Sequence, residues 1–423
     1  MTVNAHPTTR KVRIYPSADL KQRFASYFGA TRHVYNKAIE FITEASEDHR
    51  KAKDEAKEGE KPKSGISSAS VRAASVRKNS DIKDGSDDAW LKDVQYLSRI
   101  DAADEAFTSY KTNVRQVIEK KKTHFKLRFR TKRNPTQSCY ISHTALNPHA
   151  HVFFSSQHHN NKESRKAQGK GDMSFFVKRR GWRDYEAYLK QANYHDLKLT
   201  CDNDCYYLHV IFDKPSIPTT VKHPEKVVSL DPGVRTFQSA YTPHGMCAKL
   251  GDEFARDIKR RYLDKIDRLT SEIKKGSSHA KKSKALGRLR TKVRNSVDNL
   301  HKQLVAYLLR HHKKVVVGDF NDKGRACLRN DRIPRSVRRH ALVLGHCKFR
   351  DHLRYRASLY QDREVIIQNE AYTSKTCGQC GWIKTDLGAS KVYRCSQCGY
   401  QADRDLHGAR NILLRHMASY KNS

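Results

Sequence analysis

Four cysteines near the end of the chain, Cys377, Cys380, Cys395 and Cys398, form two C-x-x-C pairs separated by residues 381–394. Each pair is a tight knuckle that aims two thiolates at one point, and two knuckles complete a tetrahedral S₄ site for Zn²⁺. Gly378, Gly381 and Gly399 stand in and after the knuckles, where the chain turns back. Four thiolates leave no open coordination position, so this zinc is expected to be structural. A second chemistry is spread along the chain. Asp231 closes the apolar run VVSLD, Asp319 follows VVVG, Glu370 follows EVIIQN, and Asp405 closes DRD ahead of HGARNILLRHM. Acids delivered at separate element ends, inside an α/β pattern, suit a two-metal phosphodiester nuclease. Two Mg²⁺ ions about 3.5–4 Å apart need bridging carboxylates, activate a water and stabilise the leaving oxygen. The acidic pair Asp403 and Asp405 can equally be the N-cap of the helix that follows.

Periodicity gives the elements that must hold these residues. Arg10 to Tyr15 alternates basic and apolar residues and reads as a strand ending at Pro16. Apolar residues from Leu20 to Ile39 recur at helical spacing, with Gly29 near a bend. Glu47 to Asp88 is polar and charged and is expected to be solvated, without fixed structure. Trp90 to Ile118 reads as a second helix with a core-facing stripe. Lys120 to Arg133 alternates cations with Phe125, Leu127 and Phe129, a half-buried strand whose open face suits phosphate or is a solvated edge. His149 to His159 reads as a loop, and Asp196 to Lys214 as a hairpin turning at Asp202-Asn203-Asp204, with Cys201 and Cys205 packed beside the turn. Three strands then follow: VVSLD, Arg235 to Tyr241, and Met246 to Leu250. An apolar strand that delivers a carboxylate and then a meander is the opening of an RNase H-like nuclease sheet. Stripes from Ile258 to Ile273 and from Leu286 to Leu308 form a helical hairpin about Gly276-Ser277-Ser278. Val315 to Val317 is a buried strand. Ser336 caps a helix through Phe349, Leu353 and Tyr355, and Glu364 to Gln368 is a last strand. The final helix turns Ala409, Ile412, Leu413 and Met417 to one face.

Composition narrows the partners. Lys and Arg number 83 against 45 Asp and Glu, a net charge of +38 in 423 residues. The cations run through the whole length, so a basic tail on an ordinary enzyme is excluded and a nucleic acid is expected. No stretch is long and apolar enough to span a bilayer, so no membrane partner is expected. The N-terminus lacks the apolar core of a signal peptide. Ten cysteines, four of them in a metal pattern, suit a reducing compartment.

Read together, LDPGVRTF, NEAYTSKTCGQCG, YRCSQCGY and DRDLHGARNIL resemble the RuvC-like nuclease and zinc ribbon of the TnpB (OrfB) proteins and their eukaryotic relatives, Fanzor. RKVRIYP with GATRHVYNKAIE, the run from Trp90 to AFTSY, and HFKLRFRTKR are similar to that family's N-terminal and recognition segments. The likeness covers most of the chain and is weakest at Glu47–Asp88 and Asn134–Asp196. It implies an α/β multidomain fold, with an N-terminal β-barrel (wedge) holding an inserted helical recognition domain and a C-terminal RNase H-like RuvC nuclease domain holding an inserted zinc ribbon. The implied bounds are 1–16 for the first barrel strand, 17–122 for the helical domain, 123–225 for the rest of the barrel, 226–372 for the nuclease with its helical hairpin, 373–402 for the ribbon and 403–423 for the closing helix. The resemblance further implies an RNA-guided DNA endonuclease. An omega-type guide RNA pairs with one strand of a double-stranded DNA target while the protein, a monomer in the ribonucleoprotein, reads a short adjacent motif.

Carried across residue by residue, Asp231 matches the first catalytic aspartate, Asp405 the last, and the four cysteines the zinc ligands. One position departs. The usual strand ends in a catalytic Glu followed by Asp, and VVVGDF puts Gly318 there instead. Fanzor proteins supply that glutamate from the strand before the zinc ribbon, where Glu370 stands. The resemblance thus implies Asp231, Glu370 and Asp405 as the catalytic Mg²⁺ ligands, with Asp319 as the substitute. Phosphate contacts are expected from Lys126, Arg128, Arg130, Lys132 and Arg133, from Lys178, Arg179 and Arg180, and from the outer face of the helical hairpin. A Fanzor-like glutamate implies a nucleus as the site of action, or the cytoplasm and nucleoid for a prokaryotic chain. Two alternatives stay open. One is a catalytically inactive nucleic-acid-binding relative, motivated by the missing Glu at Gly318, and the other is a transposase-associated DNA-binding protein that acts without RNA.

Overall fold

The computed structural model describes residues 5–55, 66–143, 146–147, 151–153, 173–190, 196–215, 225–275, 279–319, 334–386, 388 and 390–421. The chain divides into two compact units, Pro7–Lys214 and Pro215–Ser423, the latter with Met1–His6. Most of the expected His149–His159 loop, and all of Gly276-Ser277-Ser278, lie outside the described residues.

In the first unit β1 (Ala5–Pro16) leads into α1 (Ala18–Glu55), α2 (Ser68–Ser75) and α3 (Tyr96–Ile118). Then come β2 (Thr136–Ile141), the short pair β3 (Leu146–Asn147) and β4 (Val152–Phe153), β5 (Phe175–Val177), α4 (Arg179–Leu189), β6 (Leu197–Asp202) and β7 (Cys205–Pro215). The five longer strands form one sheet in the order β2-β6-β7-β1-β5. β2 and β5 are the two ends of that order among the described residues. The hairpin turns at Asn203 and Asp204, both at left-handed φ (51° and 63°), as a two-residue turn requires.

Several expectations need correction here. α1 runs unbroken through Gly29, where a Cβ would make only ordinary contact with the Trp90 ring, at 3.6 Å. The Glu47–Asp88 stretch is not uniformly solvated: α1 continues to Glu55, and α2 begins with a reciprocal Ser67/Ser70 capping box. Val71 and Ile82, few but well placed, are 0% and 2% exposed. The Trp90–Ile118 helix is split, a 3₁₀ turn over Ala89–Asp93 preceding α3. Residues 120–133 form no strand, although Phe125 and Leu127 are half-buried between exposed cations.

The second unit has β8 (Glu225–Pro232), β9 (Thr236–Tyr241) and β10 (Cys247–Asp252). α5 (Phe254–Ile258) passes through a π-helical turn, Lys259–Leu263, into α6 (Asp264–Lys274), and α7 (His279–His311) completes the expected hairpin. β11 (His312–Gly318), α8 (Arg335–Leu344), α9 (His346–Ala357) and β12 (Glu364–Gln368) follow. The helix expected from Ser336 breaks at Gly345, at left-handed φ of 60°. The short strands β13 (Val392–Arg394) and β14 (Gln401–Asp403) precede the closing helix α10 (Arg404–Lys421). The sheet order is β10-β9-β8-β11-β12. β8 to β10 are an antiparallel meander, and β11 runs parallel to both β8 and β12.

Burial on both faces explains the apolar strands. Val228 and Leu230 join Val305, Leu308 and Phe349 in one core. The alternate residue Ser229 faces α10, its hydroxyl 2.7 Å from the Ala409 carbonyl oxygen. On α10, Ala409, Ile412 and Leu413 are buried as expected, whereas Met417 is 49% exposed. Phe237 is sandwiched between the rings of His301 and His346, with centroids 5.1 and 4.8 Å away. His301 donates to the Leu344 carbonyl, and Gln238 faces Nδ1 of His346. Burial, above all, pushes these imidazoles down to about 4 and about 3.

Both therefore fold neutral, and below the unfolded value near 6.5 the unfolded chain binds protons that the folded chain does not. Their contribution is present at neutral pH and is lost as pH falls from about 6.5 towards 4, by about 2 kcal/mol apiece at pH 5. The second unit is expected to melt several degrees lower at pH 5 than at pH 7.5, and equal midpoints in calorimetry would refute this.

Candidate functional site

One cavity of about 230 Å³ in the second unit is lined by Asp231, Glu370 and Asp405, with Pro232, Gly233, Arg235 and Ser239. Each carboxylate arrives from a different element. Strand alternation puts Asp231 on the same face of β8 as Ser229, towards α10. There it packs over Gly408, where a Cβ would overlap the Asp231 carboxylate. Asp405 is one turn earlier on α10. The helix is capped by the neighbouring acid, Asp403, whose Oδ1 accepts from the Asp405 and Leu406 amides at 3.0 and 3.2 Å. The N-cap reading is thus correct for Asp403 and leaves Asp405 for the cavity. Burial raises the Asp403 carboxyl, but the Lys249 ammonium at 2.8 Å and the two amides outweigh it and hold the group below its ordinary value.

Glu370 follows β12, and Gly318 ends β11 directly across from Gln368. A Cβ on Gly318 would lie 2.8 Å from Glu370 Oε2 and 3.1 Å from Pro232 Cδ. The Glu370 carboxylate therefore sits in the space that a side chain at position 318 would need. Asp319 does not line the cavity. Its Oδ1 accepts from the Glu370 amide at 3.2 Å while its own amide donates to the Gln368 carbonyl, so it braces the loop.

The arrangement is a concave, acid-lined surface with two cations in its lining, Arg235 and Arg404, and Arg235 Nη2 donates to Asp405 Oδ2 at 2.5 Å. Its oxygen donors suit a hard divalent cation such as Mg²⁺. Among the described residues the cysteines alone bring four ligand atoms within 4.8 Å of one another, and the carboxylates ring their cavity more widely. Arg235 and Gly408 were missed in the sequence. Both lie inside quoted motifs, but nothing in spacing marks Gly408 as more than a weak helix residue. Replacing it with Ala should add about 1 kcal/mol of helix propensity. The overlap with Asp231 reverses that sign, so G408A is expected to lower the melting temperature, and a raised midpoint would show that Asp231 moves aside freely.

The cysteine cluster is built as its spacing predicts. Cys377 amide donates to the Trp382 carbonyl and Cys395 amide to the Tyr400 carbonyl, giving two equivalent knuckles. Gly381 and Gly399 take the left-handed φ (76° and 72°) that lets each knuckle close. Sγ of Cys377 lies 3.7 Å from Sγ of Cys398, and that of Cys380 lies 3.7 Å from that of Cys395. A tetrahedron with Zn–S bonds of about 2.3 Å has edges of about 3.8 Å, so the four sulfurs fit zinc. The module docks on α10. His407 donates to the Thr376 carbonyl and stacks on Tyr393, while Asn411 Nδ2 donates to the Thr373 and Thr376 carbonyls.

The predicted phosphate contacts divide. Lys126, Arg128, Lys132 and Arg133 are exposed. Arg130 is not available in the same way. Its guanidinium lies 3.8 Å from the Tyr35 ring centroid and 2.8 Å from Glu105, and Asn36 bonds both its backbone amide and its carbonyl. It ties residues 120–133 to α1 and α3, so its guanidinium is already engaged where the cations beside it are open. Lys178 and Arg179 are exposed, and the side chain of Arg180 lies outside the described residues.

Three family models match separate stretches. A helix-turn-helix domain of the OrfB IS605 type matches residues 8–51, the OrfB IS605 model described as a probable transposase matches 207–326, and the Cas12f1-like TNB domain matches 346–412. A TnpB-like protein of Acanthamoeba polyphaga mimivirus is 32% identical over 44% of this chain and 36% of its own length. The chain thus spans about a third of that relative. A candidate transposase of Paramecium bursaria Chlorella virus 1 is 25% identical over 97% of this chain and 87% of its own. InsQ of Escherichia coli, named a candidate RNA-guided DNA endonuclease, is 29% identical over 56% of this chain and 61% of its own. A solved Cas12f1–sgRNA–target DNA complex is similar over 97% of this chain and 99% of that chain, at 11% identity and a TM-score of 0.49.

Proposed function

The chain belongs to the TnpB/OrfB-like family, and from that premise we propose that it is an RNA-guided DNA endonuclease whose RuvC-like site is the carboxylate cavity. The observation that carries this reading is the Glu370 carboxylate lying over Gly318. It offers an acid where the usual strand-end glutamate is missing, which supports an active site over an inactive relative. The strand order of the second unit, a three-strand meander followed by two parallel strands, supports an RNase H-like sheet.

Asp231, Glu370 and Asp405 are the residues that would hold Mg²⁺, which supplies Lewis-acid activation of water and of the leaving oxygen when bound. Asp403 fixes the start of α10 and hence the place of Asp405. Gly408 and Gly318 leave the space that the Asp231 and Glu370 carboxylates occupy. Arg235 holds Asp405 and offers a cation for a phosphate oxygen. The cysteine module is read as a structural zinc ribbon, and the first unit as the wedge with its helical recognition insertion. The partners are an omega-type guide RNA and double-stranded DNA, with one protein per particle. The relocated glutamate is similar to the Fanzor arrangement and favours a nuclear site of action.

The test is to purify the protein, sequence the RNA that accompanies it, and assay the complex with Mg²⁺ on a plasmid library with randomised flanks. A discrete RNA and guide-matched, EDTA-sensitive cleavage are expected. Discrete RNA without cleavage would return the inactive relative, and cleavage without RNA would replace the reading with a conventional transposase.

A further inference from the structure

The outer face of the first unit's sheet carries a feature that the nuclease chemistry does not use. Strand alternation sends Val12 and Ile14 of β1 into the core, at 1% and 2% exposure, and turns Arg13 and Tyr15 to the opposite face. Tyr15 is the direct cross-strand neighbour of Phe176 on β5. Their rings stack, with centroids 4.8 Å apart and planes 12° from parallel. The Arg13 guanidinium lies 5.0 Å from the Tyr15 ring centroid and the Lys178 ammonium 4.6 Å. Phe176 itself is 54% exposed, although its chain neighbour Phe175 is 4% exposed in the core.

An aromatic pair already stacked, open on one side and flanked by two cations, matches the needs of an unpaired nucleotide. A base can extend the stack on the open Phe176 ring, and cations a few ångströms away can meet the adjoining phosphates. A paired base cannot do this, because its faces are covered within the duplex. We propose that Tyr15 and Phe176 form a stacking platform for one unpaired base of the RNA that the protein carries, with Arg13 and Lys178 on its flanking phosphates. RNA is favoured over the target because the protein carries it before any target is met, with unpaired bases in its loops and ends, whereas a DNA strand is unpaired only after the guide has displaced it. The inference rests on the RNA partner proposed above and not on the carboxylate cavity.

The test uses the full-length protein freed of nucleic acid, without divalent cations, so that no cleavage enters the measurement. It is titrated with a short single-stranded RNA containing 2-aminopurine, with single-stranded DNA of the same sequence, and with an RNA duplex. Wild type should quench the 2-aminopurine of the RNA. F176A should lose the quench and bind single-stranded RNA about tenfold more weakly, equivalent to one stacked base, with duplex affinity changed less than about twofold. F176L should behave as F176A and F176Y as wild type, all with unchanged melting, since the ring is on the surface. Wild-type affinity in F176A or F176L, a loss confined to the single-stranded DNA, or an equal loss on the duplex would each overturn the platform. None of these results depends on whether the carboxylate site cuts.

Discussion

Replacing Glu370 with Gln is expected to reduce Mg²⁺-dependent cleavage by roughly a hundred- to thousandfold, the scale seen when a single charge-stabilising group leaves an active site. DNA binding should be unchanged. The substitution keeps the side chain's size and removes its charge, so the packing over Gly318 and beside Pro232 survives while the cavity loses one of its three anions. Asp319→Asn is the necessary companion. Its Oδ1 braces the Glu370 amide, and an Asn oxygen can still accept that bond, so its effect should stay within a few-fold. Cleavage assays with both variants on one guided substrate decide the matter. Normal cutting by E370Q together with loss in D319N would place the missing acid at Asp319 instead.

Removing the metal from the cysteine cluster is expected to have the largest structural effect. Structural zinc sites contribute apparent binding energies of about 10–16 kcal/mol, and small modules built on them unfold without it. The cluster's own core is small, centred on Cys377, Tyr393 and Cys395 with Trp382 and Tyr400 packed against it. One equivalent of zinc should be found by mass spectrometry in the wild type and none in Cys377→Ser/Cys395→Ser. Proteolysis of the double variant should then cut within residues 373–402. Cleavage of DNA should fall as well, although no cysteine lines the cavity. Ser374 and Ser390, which do line it, belong to the ribbon, and His407 and Asn411 tie the ribbon to the same helix that carries Asp405. Full activity in a zinc-free, proteolytically open variant would uncouple the two sites.

The C-terminal chemistry was legible because it is local. Two C-x-x-C knuckles fix their ligands by backbone geometry, and the apolar run before Asp231 fixes a strand end. The hairpin at Asn203 and Asp204 was legible for the same reason, since its turn type follows from two residues. Where local signals were weak, the reading went astray. The polar stretch after Glu47 lacks periodicity, yet single residues such as Val71 and Ile82 find a core made by distant helices. The alternation of residues 120–133 looks like a strand, but Arg130 is satisfied by Tyr35, Glu105 and Asn36 rather than by a neighbouring strand. Charge patterning alone could not separate it from the exposed cations beside it.

The same division holds at the candidate site. Residue type and spacing were enough to single out the four clustered cysteines and the strand- and helix-end acids, because those depend on contacts within a few residues. Which acids share a cavity was settled only in three dimensions. Parallel pairing of β11 with β12 brings Glu370 over Gly318, and the packing of α10 on β8 brings Gly408 against Asp231. Those approaches join residues far apart in the chain, and they turn on side chains that are absent. A glycine's empty space acquires meaning only when the fold shows what fills it.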